Sequence, residues 1–155
     1  MRRQDREIKD PAQLFDMLRQ GKFMVLALTH LDNPYIVTLN YGYDPEQNLV
    51  YFHCAKEGLK LQYIAANPQV CATVIFDKGY VQNECGHEFT TLVLRGCIEI
   101  VDSLEDKKQG MLTLLNQLES NPNTLSAKML QNDQAYEKIC ILKMTINEIS
   151  GKIGR

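Results

Sequence analysis

The chain has 155 residues, 45% of them hydrophobic and 23% charged, with a formal net charge of −2. That length suits one domain over residues 1–155 with a sizeable buried core. The charge balance, without a basic stripe, gives no electrostatic case for nucleic acid, and the lack of a signal peptide or an 18-residue apolar run points away from a membrane and to the cytoplasm.

Five cysteines (Cys54, Cys71, Cys85, Cys97 and Cys140) form an odd set without a Cys-x-x-Cys pair. Reduced, mostly buried thiols are expected. The N-terminal MRRQDREIK alternates charge signs. It reads either as a solvated arm or as an arm packed across a partner subunit. Asp10-Pro11 then supplies an N-cap and a first helical residue; Leu14, Phe15 and Leu18 form the apolar stripe, and Gly21 ends the helix.

Lys22 to Thr29 is an apolar run of strand length, and His30 to Pro34 is a turn. Alternation in the next strand separates Tyr35, Val37, Leu39 and Tyr41 from Ile36, Thr38 and Asn40. The first set suits a barrel interior; Thr38 and Asn40 face outward, where their polar groups can meet a ligand or partner. Asp44 to Asn48 is turn chemistry, followed by a Val- and Tyr-rich strand through His53 and Cys54. A short helix begins near Gly58, carries Leu59, Leu61, Tyr63 and Ile64, and stops at Asn67-Pro68. Its free N–H groups beside Lys60, in the first turn, are suited to holding a phosphate.

Gln69 to Phe76 predicts another strand, Asp77 to Glu88 an irregular stretch, and Phe89 to Val101 a long strand with Gly96 as a bulge or close-approach point. Ser103 caps a helix whose Met111, Leu114, Leu115 and Leu118 follow helical spacing. Asn121-Pro122-Asn123 breaks it. A polar helix over Ser126 to Glu137 and a final strand over Ile139 to Ile146 complete the chain. Hairpin-length connections between the first strands favour a mainly β fold, an antiparallel barrel with appended helices.

Several residues carry a family resemblance. They are Met1-Arg2-Arg3 with Asp5-Arg6, Pro34-Tyr35, Leu39-Asn40-Tyr41, and above all Tyr51-Phe52-His53-Cys54-Ala55-Lys56-Glu57-Gly58 with Lys60. Asn67-Pro68, Phe89-Thr90-Thr91 and Glu148-Ile149-Ser150-Gly151-Lys152 extend it over nearly the whole chain. In these the chain resembles the pyridoxamine 5′-phosphate oxidase-related, FMN-binding split-barrel proteins, in the branch that includes Nim-type nitroimidazole resistance proteins. The resemblance implies a split β-barrel and FMN at the interface of a homodimer. It implies that Lys60 and the Gly58 region hold the phosphate, that Val37, Thr38, Leu39 and Asn40 line the isoalloxazine, and that His53, Cys54 and Ala55 meet its ribityl and ring edge, with Thr91 as a further contact. His53 is then the candidate catalytic residue toward a small organic acceptor. Leu59 departs from the pattern, in which a His or Arg precedes the lysine. The Arg- and His-containing C-terminal segment of true pyridoxamine phosphate oxidases is also missing, so that activity is not expected. The alternative is a non-catalytic module that sequesters or senses flavin or haem.

Other chemistry finds less support. Adjacent His53 and Cys54 on a strand point to opposite faces, which argues against a Cys–His dyad. Cys85-x-His87 lacks a second ligand pair, so no metal site is expected. No dinucleotide, Walker or Gly-x-Ser-x-Gly motif occurs.

Overall fold

In the computed structural model, which describes residues 3–154, six strands pair antiparallel into a barrel with the order β1-β2-β3-β6-β5-β4. Met1, Arg2 and Arg155 lie outside the described residues. The strands are β1 (Phe23–His30), β2 (Asn33–Asp44), β3 (Leu49–Cys54), β4 (Gln69–Val81), β5 (Gly86–Ile100) and β6 (Cys140–Gly154). Five helices are appended: α1 (Pro11–Gln20), α2 (Leu59–Ala66), α3 (Leu104–Leu118), α4 (Pro122–Met129) and α5 (Asp133–Glu137). This is the expected mainly β split barrel.

Local chemistry explains most boundaries. The Asp10 side chain accepts from the Ala12 N–H and Pro11 takes the first position of α1. Ser103 does the same for α3 through the Asp106 N–H. β1 and β2 join through Leu31 and Asp32, both at positive φ (46° and 62°), a two-residue hairpin turn shorter than the expected His30–Pro34 loop. Asp44 closes the β2–β3 turn by accepting from the N–H groups of Glu46 and Gln47.

Four expectations need correction. Asp77 to Glu88 is no irregular stretch: β4 runs on to Val81 and β5 starts at Gly86, with a register shift between Asp77 and Gly79. The bulge hides the alternation, and Asp77 accepts from the Gly79 N–H across it. The final strand does not stop at Ile146 but continues to Gly154 beyond a shift at Arg95/Gly96. Gly96 is the close approach, since a Cβ there would collide with the Thr145 carbonyl oxygen; the extra residue of the bulge, Asn147, lies opposite on β6. The helix expected over Ser126–Glu137 is two helices, because Asn132 turns out of α4 and caps α5 through the Ala135 N–H. The end of the N-terminal arm is not free in solvent: Ile8 is buried and donates its N–H to the Gly151 carbonyl.

The main core fills the barrel with Met24, Leu26, Leu28, Val50, Phe52, Leu92, Leu94, Leu142 and Met144, onto which Leu14 and Leu18 of α1 pack. A second cluster, Tyr51, Val101, Leu114 and Ile141, lies outside the barrel wall. There α3 covers β2, β3 and β6. The outer faces of β1, β2, β4 and β5 carry exposed Phe23, Ile36, Ile75 and Val93 instead.

Candidate functional site

The β2–β3 ladder is short. β3 pairs with β2 only from Tyr41 to Asp44, whereas β2 begins at Asn33. From Pro34 to Asn40, β2 is paired with β1 alone. Its other edge has no ladder partner among the described residues, so backbone N–H and C=O groups there can meet a ligand. Val37 and Leu39 pack toward the barrel core and Thr38 and Asn40 point outward, as the alternation predicts. The Asn40 amide donates to the Lys22 carbonyl at 2.9 Å, which leaves its Oδ1 free to accept.

Beyond the end of β3 the chain turns through Ala55 and Gly58 into α2. Gly58 is the N-cap at φ 135° and ψ 164°, in a region that L side chains rarely adopt. No side chain caps this helix; the Leu61 N–H donates to the Gly58 carbonyl, and the N–H groups of Leu59 and Lys60 remain open. Lys60 folds back over the loop: a Cβ on Gly58 would lie 3.6 Å from Lys60 Nζ. Lys60 makes no ion pair among the described residues. Open N–H groups beside an unpaired ammonium fit a phosphate monoester. Leu59, at the next position, is half exposed and adds no charge.

His53 and Cys54 separate onto opposite faces. Cys54 is buried, and burial, followed by the neighbouring Cys140, pushes its thiol up to about 12. His53 is exposed, yet the surrounding apolar side chains desolvate its imidazole and lower its pKa, which favours the neutral ring. His53 and Asn40 line the same cavity. Its volume is about 510 Å³, and its remaining walls come from α3, α4, α5 and the residues just before β6, among them Met111, Leu115, Leu118, Leu125 and Met129.

The structure thus groups Asn40 with His53, and sets Gly58 and Lys60 at the end of the strand that carries His53 and Cys54. Thr91 is elsewhere. It is half-buried on β5, which lies three strands from β2 in either direction round the barrel, through β4 and β1 or through β6 and β3. At the usual strand spacing that separation is about 14 Å. Sequence reasoning missed the cavity walls. The α3 stripe was legible as packing, but Met129 and Leu130 fall in a stretch read as one polar helix and Leu125 lies just before it. Of the weaker metal pair, His87 Nε2 lies 2.7 Å from Asp77 Oδ1. No cluster of three or more metal-ligating side chains occurs among the described residues, and no described helix is long and apolar enough to cross a membrane.

Comparison with known proteins gives the family and the fold. A protein from Bacteroides thetaiotaomicron VPI-5482, a candidate 5-nitroimidazole antibiotic resistance protein, superposes with a TM-score of 0.79 at 22% identity, over 96% of this chain and 86% of that one. The flavocytochrome Anf3 of Azotobacter vinelandii gives 0.79 at 15% identity, covering 99% and 71%. A FAD and haem binding protein of Mycobacterium smegmatis gives 0.78 at 14%, covering 97% and 74%. At such identities these likenesses establish the fold. No curated protein matches the chain. The family model described as pyridoxamine 5′-phosphate oxidase matches residues 10–153, and the chain therefore belongs to the pyridoxamine 5′-phosphate oxidase family.

Proposed function

We propose that this chain is an FMN-binding protein that acts as a flavin-dependent reductase of a small organic acceptor, with nitroimidazole-type compounds as candidate substrates. The observation that carries the reading is the pairing of an open, lysine-flanked helix N-terminus with an unpaired strand edge whose Asn40 lines one cavity with His53. The family membership and the resistance-protein likeness support it. A bound flavin supplies the redox chemistry; the protein holds its phosphate and tunes its ring.

In this reading Lys60 and the N–H groups after Gly58 hold the phosphate. The Val37–Asn40 edge hydrogen-bonds the ring, while His53, Cys54 and Ala55 border the ribityl chain. His53 orients the acceptor or gives it a proton. Thr91, three strands away from β2, reaches the same flavin only from a second chain. That accords with a homodimer joined through the outer faces of β1, β2, β4 and β5.

Titration of the purified protein with FMN tests this reading. One site per chain is expected, weakened ~10-fold or more in Lys60→Ala by loss of one charge-assisted bond. Equal affinity in the variant would remove Lys60 from the site, and absence of FMN binding would end the reading. The second reading, a non-catalytic flavin or haem carrier, draws support from the two matching structures named for a flavocytochrome and for FAD and haem. Haem addition that produces a ligated-haem spectrum, with no flavin taken up, would favour it.

A further inference from the structure

The cavity that His53 helps to line has features of its own. Its volume, about 510 Å³, lies in the range of small-molecule sites. Leu115, Leu118, Leu125 and the two methionines Met111 and Met129 give it apolar, adaptable walls. Its polar lining is limited to Asn40, His53 and Lys138. No carboxylate lines it. Asp133, the acidic residue that opens α5, is 2.7 Å from Lys108, and Lys138 makes no ion pair among the described residues.

An apolar chamber with one free cation and no anion selects a particular chemistry. A neutral apolar molecule would leave the lysine unused, and a cation would be repelled. An acid-headed apolar molecule satisfies both parts: its tail is desolvated among the leucines and its head is held by a charge-assisted bond. We infer that the α3–α5 cavity binds an apolar organic anion, a medium-chain or aryl carboxylate, with the carboxylate at Lys138 and the apolar body directed toward His53. This goes beyond the flavin reading, because the site is formed by the helical cap and stands without a cofactor.

Calorimetric titration with sodium decanoate, and separately with decan-1-ol, tests it on FMN-free and FMN-saturated protein. Saturable binding of one decanoate per chain is expected, tighter than that of the alcohol. Lys138→Ala, at an exposed position, should weaken decanoate ~10-fold and leave the alcohol unchanged. Met129→Glu, also exposed, places a carboxylate in the wall and should abolish decanoate binding without lowering the melting temperature. No saturable binding, or binding indifferent to both substitutions, overturns the proposal. Exclusion of decanoate by FMN overturns it too, since the cavity would then belong to the flavin site. Failure of FMN to bind while decanoate still does would sink the flavin reading and leave this one standing.

Discussion

Cys54 on β3 stands directly opposite Cys140 on β6 in the antiparallel ladder, and both thiols are buried. Burial chiefly, then the charge and hydrogen bond of Cys140, push the Cys54 thiol up to about 12. Burial likewise raises the Tyr41 hydroxyl, which donates to the Leu18 carbonyl at 2.6 Å. Folding therefore keeps both groups protonated where the unfolded chain would release the protons, from ordinary values of 9.0 and 10.0. Their contribution is fully present below pH 9 and is lost as pH rises through the window above it. Urea midpoints measured from pH 8 to 11 should fall with pH, less steeply in Cys54→Ala. A profile that is flat over this range would contradict the assignment. The same burial predicts that iodoacetamide labels the exposed Cys85 in the native protein and reaches Cys54 only on unfolding.

Gly96 supports one of the two longest ladders, that between β5 and β6. A Cβ there would collide with the Thr145 backbone, where no side chain can yield. Gly96→Val should cost about 3 kcal/mol, the upper end of ordinary overpacking, and lower the urea midpoint without changing the slope much. A loss under ~0.5 kcal/mol would mean that the β6 bulge can slide to make room.

Leu59 offers a gain-of-function test. It is half exposed at the start of α2, one residue before Lys60. Leu59→Arg adds a second cation to the N–H groups that Lys60 already flanks. FMN affinity should rise ~10-fold, and more at low ionic strength. Unchanged affinity would place the phosphate away from the α2 terminus.

How far the sequence was legible follows from where each signal was local. The first two hairpins, the Asp10 and Ser103 caps, the two faces of β2 and the helix start at Gly58 each rest on a few neighbouring residues, and all were readable. Most of β5 was readable too, but the end of β4 and the second half of β6 were not, because bulges beside Asp77/Gly79 and opposite Arg95/Gly96 break the period of two on which strand reading depends. The helical cap was read least well. Its Leu125, Met129 and Leu130 belong to one short helix, α4, and its C-cap, which pack beside α3. The pairing of Asn40 with His53 comes from barrel register and leaves no trace in local spacing.

The outer barrel face predicts the assembly. Thr38, Val25, Thr73 and Val93 form a cross-strand row over β2, β1, β4 and β5, and Ile36, Ala27, Cys71 and Arg95 form the next. Ile36 is 67% exposed, with Phe23 and Ile75 on the same face. A surface of this kind is commonly covered by association. Light scattering should give a dimer, converted to monomer by Ile36→Asp with its fold intact by circular dichroism. A monomeric wild-type protein that still binds FMN tightly would refute the shared site.

His53 decides the chemistry. Desolvation lowers its pKa from 6.5, so the folded state disfavours the imidazolium. Its contribution to stability is present above the unfolded value and is lost as acidification drives protonation. The lowered pKa favours the uncharged ring, which can donate one hydrogen bond to an acceptor as charge builds there, while the imidazolium fraction can supply a proton. The reaction to follow is anaerobic reoxidation of the reduced flavoprotein by a nitroimidazole. It should be faster than that of free reduced FMN, and slower by roughly 100-fold in His53→Ala, the lower end of general-acid contributions, with FMN still bound. Reoxidation no faster than that of free reduced FMN would leave the chain a flavin carrier. If reoxidation is fast but indifferent to His53, the reductase stands and the proton must come from solvent or from another residue at the cavity mouth.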